Sequence, residues 1–295
     1  MKDYLDGLIR KGIGGFYYVE TPDGIEECHA RGIFRKKGLT PLAGDHVKIR
    51  VSQDGTGEIE EIMPRRNSLL RPPVANIDQL VIVVSTCEPV PNSLVIDRMT
   101  AEAEAVGVEP VLVISKADLQ SAEPLSKIYG KAGIRLFCVS SVSGEGVAET
   151  EKIFSGKVTA LTGNSGVGKS TLLNSMFHGL SLQTGEISHK LGRGRHTTRQ
   201  VELLKLKDGG YVIDTPGFSS LNADFFRAVT KENLPYCFRE FLPYLGHCRF
   251  TSCTHTCETG CAVLEAVHEG KISLSRHKSY VEFFREMKEK KSWKN

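Results

Sequence analysis

The run Gly163-Asn164-Ser165-Gly166-Val167-Gly168-Lys169-Ser170 constrains this 295-residue chain more than any other feature. It matches G-x-x-x-x-G-K-[ST], a loop whose glycines let backbone amides turn toward phosphate oxygens. Such a loop needs a strand before it and a helix after it. Val158-Thr159-Ala160-Leu161 supplies the strand pattern, and a helix-like run from Ser170 to Met176, with Thr171 in its first turn, follows. In that setting Lys169 reaches the outer phosphates and the Ser170 hydroxyl binds Mg²⁺. The helix N-terminus adds its positive dipole end.

The surrounding sequence supplies a sheet. Leu80–Val84, Val111–Ile114, Leu136–Val139 and Tyr211–Ile213 are short apolar runs, as in strands buried on both faces. Helical patterns such as Val95–Val106 separate several of them, which predicts a mainly parallel α/β sheet. Asp214-Thr215-Pro216-Gly217 leaves the last of these strands. Asp214 is placed to hold Mg²⁺ through water, and the Gly217 amide to sense a γ-phosphate. The Gly-rich basic stretch 189–199 between them suits a mobile switch, with Thr198 or Thr197 as the metal-binding hydroxyl.

A phosphate loop cannot choose between bases. Ser115-Lys116-Ala117-Asp118, after the strand Val111–Ile114, resembles the N-K-x-D element that reads guanine. There the carboxylate accepts from N1–H and the 2-amino group, and adenine offers neither donor. Ser115 stands where Asn is usual, and a hydroxyl makes fewer bonds than an amide, so a weaker tether to the phosphate loop is expected. Ser140-Ser141 resembles the small element whose backbone touches the base. The order is base element, serine pair, phosphate loop, switch loop, then D-x-x-G. That is a circular permutation of the usual order.

The flanks differ in texture. The first ~65 residues read as short strands between turns. In Asp45–Ser52, Val47, Ile49 and Val51 alternate with His46, Lys48 and Arg50, as in a half-buried strand. A small five-stranded OB-type barrel fits. A junction is expected between Pro64 and Pro73. Past residue 231 come a cysteine cluster and a helical stripe of Tyr280, Phe283, Phe284 and Met287, read as a helix packed on its neighbour.

Apolar residues at 40% and charged residues at 25% describe an ordinary globular chain, large enough to need no disulfide staples. The apolar runs are too short to span a bilayer, and the N-terminal MKDYLDGLIRKG has no secretory apolar core, so a cytoplasmic protein is expected. The net charge of +3 excludes a polycation. Residues 231–295 hold 11 basic and 8 acidic side chains, against 15 and 16 in 72–230. Basic surfaces at the switch loop and tail could therefore still meet RNA, as could exposed cations of an OB barrel. Four of the eight cysteines lie between 248 and 261, with His255 among them. In a cytosolic chain that cluster reads as a metal site, and a Cys₃His set is a closed, structural zinc shell. Spacing alone leaves any three of Cys248, Cys253, Cys257 and Cys261 as ligands.

The chain resembles the RsgA family of circularly permuted GTPases, the YjeQ/YloQ type, over nearly its full length. The resemblance is carried by Arg31–Arg35, Gly44-Asp45, Arg71–Asn76, Asp97-Arg98, Gly163–Thr171, Arg195–Arg199, Asp214–Ser219 and Cys248–Val263. It implies an N-terminal OB barrel (1–70), a central α/β permuted P-loop GTPase domain (71–230) and a C-terminal, mainly helical zinc-binding domain (231–295). It selects Cys248, Cys253, His255 and Cys261 as zinc ligands. It implies binding to the small ribosomal subunit and its rRNA, a role in late maturation, and slow GTP hydrolysis stimulated by that subunit. A monomer is expected.

Many GTPases orient the attacking water with a Gln after D-x-x-G. Phe218 occupies that position and cannot do so. His196, beside the threonines, is the candidate, since an imidazole has the pKa to orient or deprotonate water. Two other readings remain: an rRNA-binding module that uses nucleotide only as a switch, and a P-loop ATPase or kinase.

Overall fold

The computed structural model describes residues 4–52, 55–70, 73–177, 201–214 and 228–292. Strand β1 (Tyr4–Ile13) begins a meander with β2 (Phe16–Thr21) and β3 (Gly24–Ala30). A one-turn helix, α1 (Gly32–Lys36), leads to β4 (His46–Val51) and β5 (Gly57–Ile62). β1 pairs with both β2 and β4, and β3 with β5, so the five strands close into a barrel. Closure gives the alternating strands an inside. Ile9, Val19, Val47, Ile49 and Ile59 fill it, while His46 faces water.

A short ribbon, β6 (Ser68–Leu70) with β7 (Pro73–Ala75), follows. It is tied down rather than loose. Arg65 clasps the buried Asp45 carboxylate with two hydrogen bonds of 2.7 Å, and Arg66 reaches Asp78 at 2.8 Å. Gly44 has φ +88°, and a Cβ there would sit 2.1 Å from the Ala75 carbonyl oxygen. Only glycine lets the two segments pass so closely.

The second sheet is built by β8 (Gln79–Ser85), α2 (Ser93–Ala105), β9 (Glu109–Ser115), α3 (Glu123–Lys131), β10 (Arg135–Cys138), α4 (Val147–Glu151), β11 (Val158–Thr162), α5 (Lys169–Met176), β12 (Glu202–Lys205) and β13 (Tyr211–Asp214). Its order is β10-β9-β8-β11-β13-β12, with β12 alone antiparallel. Every residue of β8 is buried. Ile82 and Val84 enter one core with Met99 of α2 and Tyr129 of α3; Val81 and Val83 enter the other with Leu172 of α5. That explains the unbroken apolar run: both faces are covered. β12 then meets β1, Lys11 opposite Glu202, so these six strands run on into the barrel as one sheet. Glu20 of β2 seals this seam. It accepts from Arg10 at 2.7 Å, from the Tyr211 hydroxyl at 3.0 Å and from Lys205.

The C-terminal part has two 3₁₀ segments (Leu234–Cys237 and Arg239–Tyr244), α6 (Ala262–His268) and α7 (Leu274–Ser292). Tyr280 and Phe283 are buried against Phe238 and Phe241, and Phe284 and Met287 pack at the margin. The aromatic stripe is thus a packed helix face. Ala101 of α2 belongs to the same core. Among the described residues, no helix is long and apolar enough to cross a membrane.

Candidate functional site

The parallel strands end side by side, and the loops that follow them share one edge of the sheet. Ser115 ends β9, Ser140 follows β10, Gly163 follows β11 and Asp214 ends β13. Four of the segments singled out in the sequence therefore converge although they are far apart in the chain.

Gly163 has φ +146°, and a Cβ there would lie 2.2 Å from the Val83 carbonyl oxygen. The loop must turn hard against β8 at this point, and only glycine allows it. Val167 anchors the loop in the core, while Ser165 and Gly166 are exposed. Gly168, at φ +92°, turns the chain into α5. Lys169 Nζ donates to the Gly163 and Asn164 carbonyls, each at 2.7 Å. Burial pulls its pKa down to about 8. A phosphate anion in this loop would reverse that, because an opposite charge favours the protonated amine. Ser170 is half-buried in the first turn of α5, and Thr171 is exposed beside it.

Ser115 is buried, and its hydroxyl lies 2.6 Å from the Val167 carbonyl and 3.0 Å from that of Val84. The serine therefore supplies the tether to the phosphate loop, with one proton shared between two acceptors. Lys116 is left-handed at φ +56°. The Ala117 amide donates to Val139 at 3.1 Å, and Asp118 is exposed beyond it. Ser140 is buried and accepts from the Ser143 amide at 3.1 Å; Ser141 is half-buried. Asp214 pairs opposite Glu202. His196, Thr197, Thr198, Gly217 and Phe218 lie outside the described residues.

A second centre lies in the C-terminal part. The ligand atoms of Cys248, Cys253, His255 and Cys261 all lie within 4.8 Å of one another. Cys248 and Cys261 sulfurs are 3.9 Å apart, and each is 3.5 Å from His255 Nδ1. Four such donors at ~2.0–2.3 Å from one ion lie ~3.5–3.8 Å from each other in a tetrahedron, so the set could hold a metal ion. Cys257 is exposed and stands outside it. Glu258 shapes the turn by accepting from the Thr254, Thr256 and Cys257 amides at 2.8, 2.9 and 3.1 Å. Burial pushes its carboxyl up, but bonds from the Thr254 hydroxyl and amide and from the Cys257 amide outweigh it and hold the pKa at about 2. From α7, the Tyr280 hydroxyl donates to the Thr254 carbonyl and His277 Nε2 to that of His255, both at 2.8 Å.

Residues 62–224 match the RsgA GTPase domain family, and residues 6–59 the RsgA N-terminal domain family. The small ribosomal subunit biogenesis GTPase RsgA of Caldanaerobacter subterraneus subsp. tengcongensis is 47% identical over 289 residues, 97% of each chain. Its namesake in Geobacillus kaustophilus is 42% identical, over 97% of this chain and 98% of the other. The chain belongs to the RsgA GTPase family. Two solved structures agree with it in fold. YjeQ from Thermotoga maritima is 34% identical with a TM-score of 0.82, covering 97% of this chain and 99% of YjeQ. YloQ, a circularly permuted GTPase, is 35% identical with a TM-score of 0.79, covering 98% and 96%.

Several residues of this RsgA-family chain were not visible as functional in the sequence. Glu258, His277 and Tyr280 back the cysteine cluster, and only their proximity to it in the chain hinted at that. Arg276 joins α7 to α2, donating to Asp97 and Thr100 at 2.9 Å and to Glu240 at 2.7 and 3.2 Å. A lone arginine on a helix carries no pattern that foretells a buried ion cluster.

Proposed function

We propose that this chain hydrolyses GTP to GDP and phosphate while bound to the small ribosomal subunit, and acts in the late maturation of that particle. One observation carries the reading: the Ser115–Asp118 turn and the Gly163–Ser170 loop share one sheet edge, in rotated order, in a chain that matches named small ribosomal subunit biogenesis GTPases over nearly their whole length.

In this reading residues 1–70 are the RNA-facing barrel, 71–230 the GTPase domain and 231–295 the zinc domain. Amides of Gly163–Lys169 cradle the phosphates, with Asn164, Ser165, Gly166, Val167 and Gly168 forming the arch. The Lys169 ammonium offsets charge that develops between the β- and γ-phosphates. Asp118 accepts two hydrogen bonds from guanine, the Lys116 stem covers the base, and Ala117, Ser140 and Ser141 close its edge. When bound, Mg²⁺ neutralises phosphate charge, and Ser170, Thr198 and Asp214 are the residues assigned to hold it. Thr171 and Gly217 complete the nucleotide contacts. His196 is assigned to orient the attacking water when the chain is bound to the subunit. The Cys248, Cys253, His255 and Cys261 set is assigned to one structural zinc ion, since three thiolates and an imidazole fill a tetrahedral shell and leave no open position. The proposed setting is the cytoplasm, as a monomer.

The test is GTP turnover with and without purified small subunits, over a range of salt. Stimulated turnover that falls steeply with salt is expected, because docking through rRNA phosphates releases counterions. Nucleotide binding with no turnover in either condition would instead favour the switch-only rRNA-binding module. His196→Ala should lose most of the stimulated rate. Unchanged stimulation would remove His196 from the mechanism.

A further inference from the structure

Lys116 is one of three non-glycine residues with positive φ among the described residues. A side chain in that region is strained and persists only where the surroundings over-determine it. Here the surroundings are the loop that follows β8. Thr86 donates its amide to the Ser115 carbonyl at 3.0 Å and its hydroxyl to the Lys116 carbonyl at 2.7 Å. Glu88 offers its backbone carbonyl to Lys116 Nζ. The Ser85 hydroxyl closes the same loop on itself, 2.7 Å from the Pro89 carbonyl. Both ends of Lys116, backbone and ammonium, are therefore held by residues 86–88.

We propose that this loop splints the base-reading turn and that Thr86 is a positioning residue for guanine recognition. It acts through Lys116 and touches no nucleotide itself. The two hydrogen bonds from guanine to a carboxylate require both oxygens to face the base edge, and the Lys116 backbone sets the direction in which Asp118 leaves the turn. Without the Thr86 hydroxyl, the Lys116 carbonyl keeps its in-turn donor, the Leu119 amide at 3.0 Å, but loses the bond that ties it to the loop after β8, and the turn can relax. Binding should then weaken most for the ligand that uses both Asp118 contacts. The Lys169 side of the pocket should be untouched, because its partners are Gly163 and Asn164.

The proposal rests on the assignment of Ser115–Asp118 as the guanine-reading turn. The test uses the full chain and compares the dissociation constants of GDP and IDP. Inosine lacks the 2-amino group and so makes only one of the two bonds. Thr86→Ala should raise the GDP constant roughly tenfold, the loss of one well-placed bond. It should raise the IDP constant much less, so that the preference for GDP over IDP shrinks. Thr86→Ser, which keeps the hydroxyl, should restore both. Equal losses for GDP and IDP, or unchanged GDP binding, would overturn the proposal. Should Thr86→Ala fail to fold, the near-isosteric Thr86→Val gives the same reading. Asp118→Asn, tested with XDP, separates the two layers. If it does not shift binding toward xanthine, the base-turn assignment fails whatever Thr86 does. If it does shift binding and Thr86→Ala is silent, only the splint fails.

Discussion

The Ser115 hydroxyl lies 2.6 Å from the carbonyl oxygen of Val167, joining the turn after β9 to the phosphate loop after β11. Serine is shorter than the usual asparagine, yet the span is closed because both residues are buried. Ser115→Ala should leave two buried carbonyls with less than their full set of donors. A loss of ~1–2 kcal/mol in stability is expected, with guanine-nucleotide affinity weakened several-fold. Calorimetric titration with GDP and denaturant melts check both.

Arg276 is enclosed by Asp97, Glu240 and Thr100, and it fastens the C-terminal part to α2. Arg276→Met should cost ~3–5 kcal/mol, because it strands two buried carboxylates. Replacing Asp97 and Glu240 by neutral side chains at the same time should recover much of that loss. Equilibrium unfolding of the single and triple variants measures the difference.

Glu102 of α2 is buried and accepts from the Ala228 and Val229 amides at 3.1 and 3.4 Å. Burial raises its pKa to about 7, and those amides only partly oppose the rise. A carboxyl held above its unfolded value favours the protonated native state. Its cost is therefore absent below pH ~4.5, grows as pH rises toward 7, and is constant above that. Glu102→Gln, which mimics the protonated form, should match the wild type in melting temperature near pH 4.5 and exceed it at pH 8. A difference that is flat with pH would contradict the burial argument.

One zinc ion per chain is expected on elemental analysis. Cys261→Ser should reduce it and lower the melting temperature, since Cys261 is both a cluster member and part of the aromatic core. Cys257→Ser should keep full zinc content, because that thiol faces solvent outside the cluster.

The strands were legible because burial on both faces leaves an unbroken apolar run, as in Leu80–Val84. The segments proposed to meet nucleotide stand out in the sequence because the proposed chemistry needs fixed residue types at fixed spacing. β12 was not legible, because four residues of an antiparallel strand make too short a pattern. Its pairing with β1 depends on partners nearly 200 positions away. The metal cluster was ambiguous by spacing, and only the folded loop, which leaves Cys257 exposed, separates the fourth thiol from the other three. Arg276 and Thr86 were silent for a common reason: each works by meeting residues that only the tertiary fold brings near.

The strand order β10-β9-β8-β11-β13-β12 also governs how the chain emerges during its own synthesis. The first three strands made form one half of the sheet, and the inner edge of β8 waits for β11, whose first residue lies 73 positions after Ser85. At ~5–20 residues per second, that apolar edge stays unpaired for ~4–15 s on every nascent chain. The barrel made beforehand has already closed upon itself, so it offers no complete strand edge to that waiting half-sheet. The permuted order thus creates a timed window of aggregation risk, and the self-contained barrel upstream is the part of the chain least able to mispair during it.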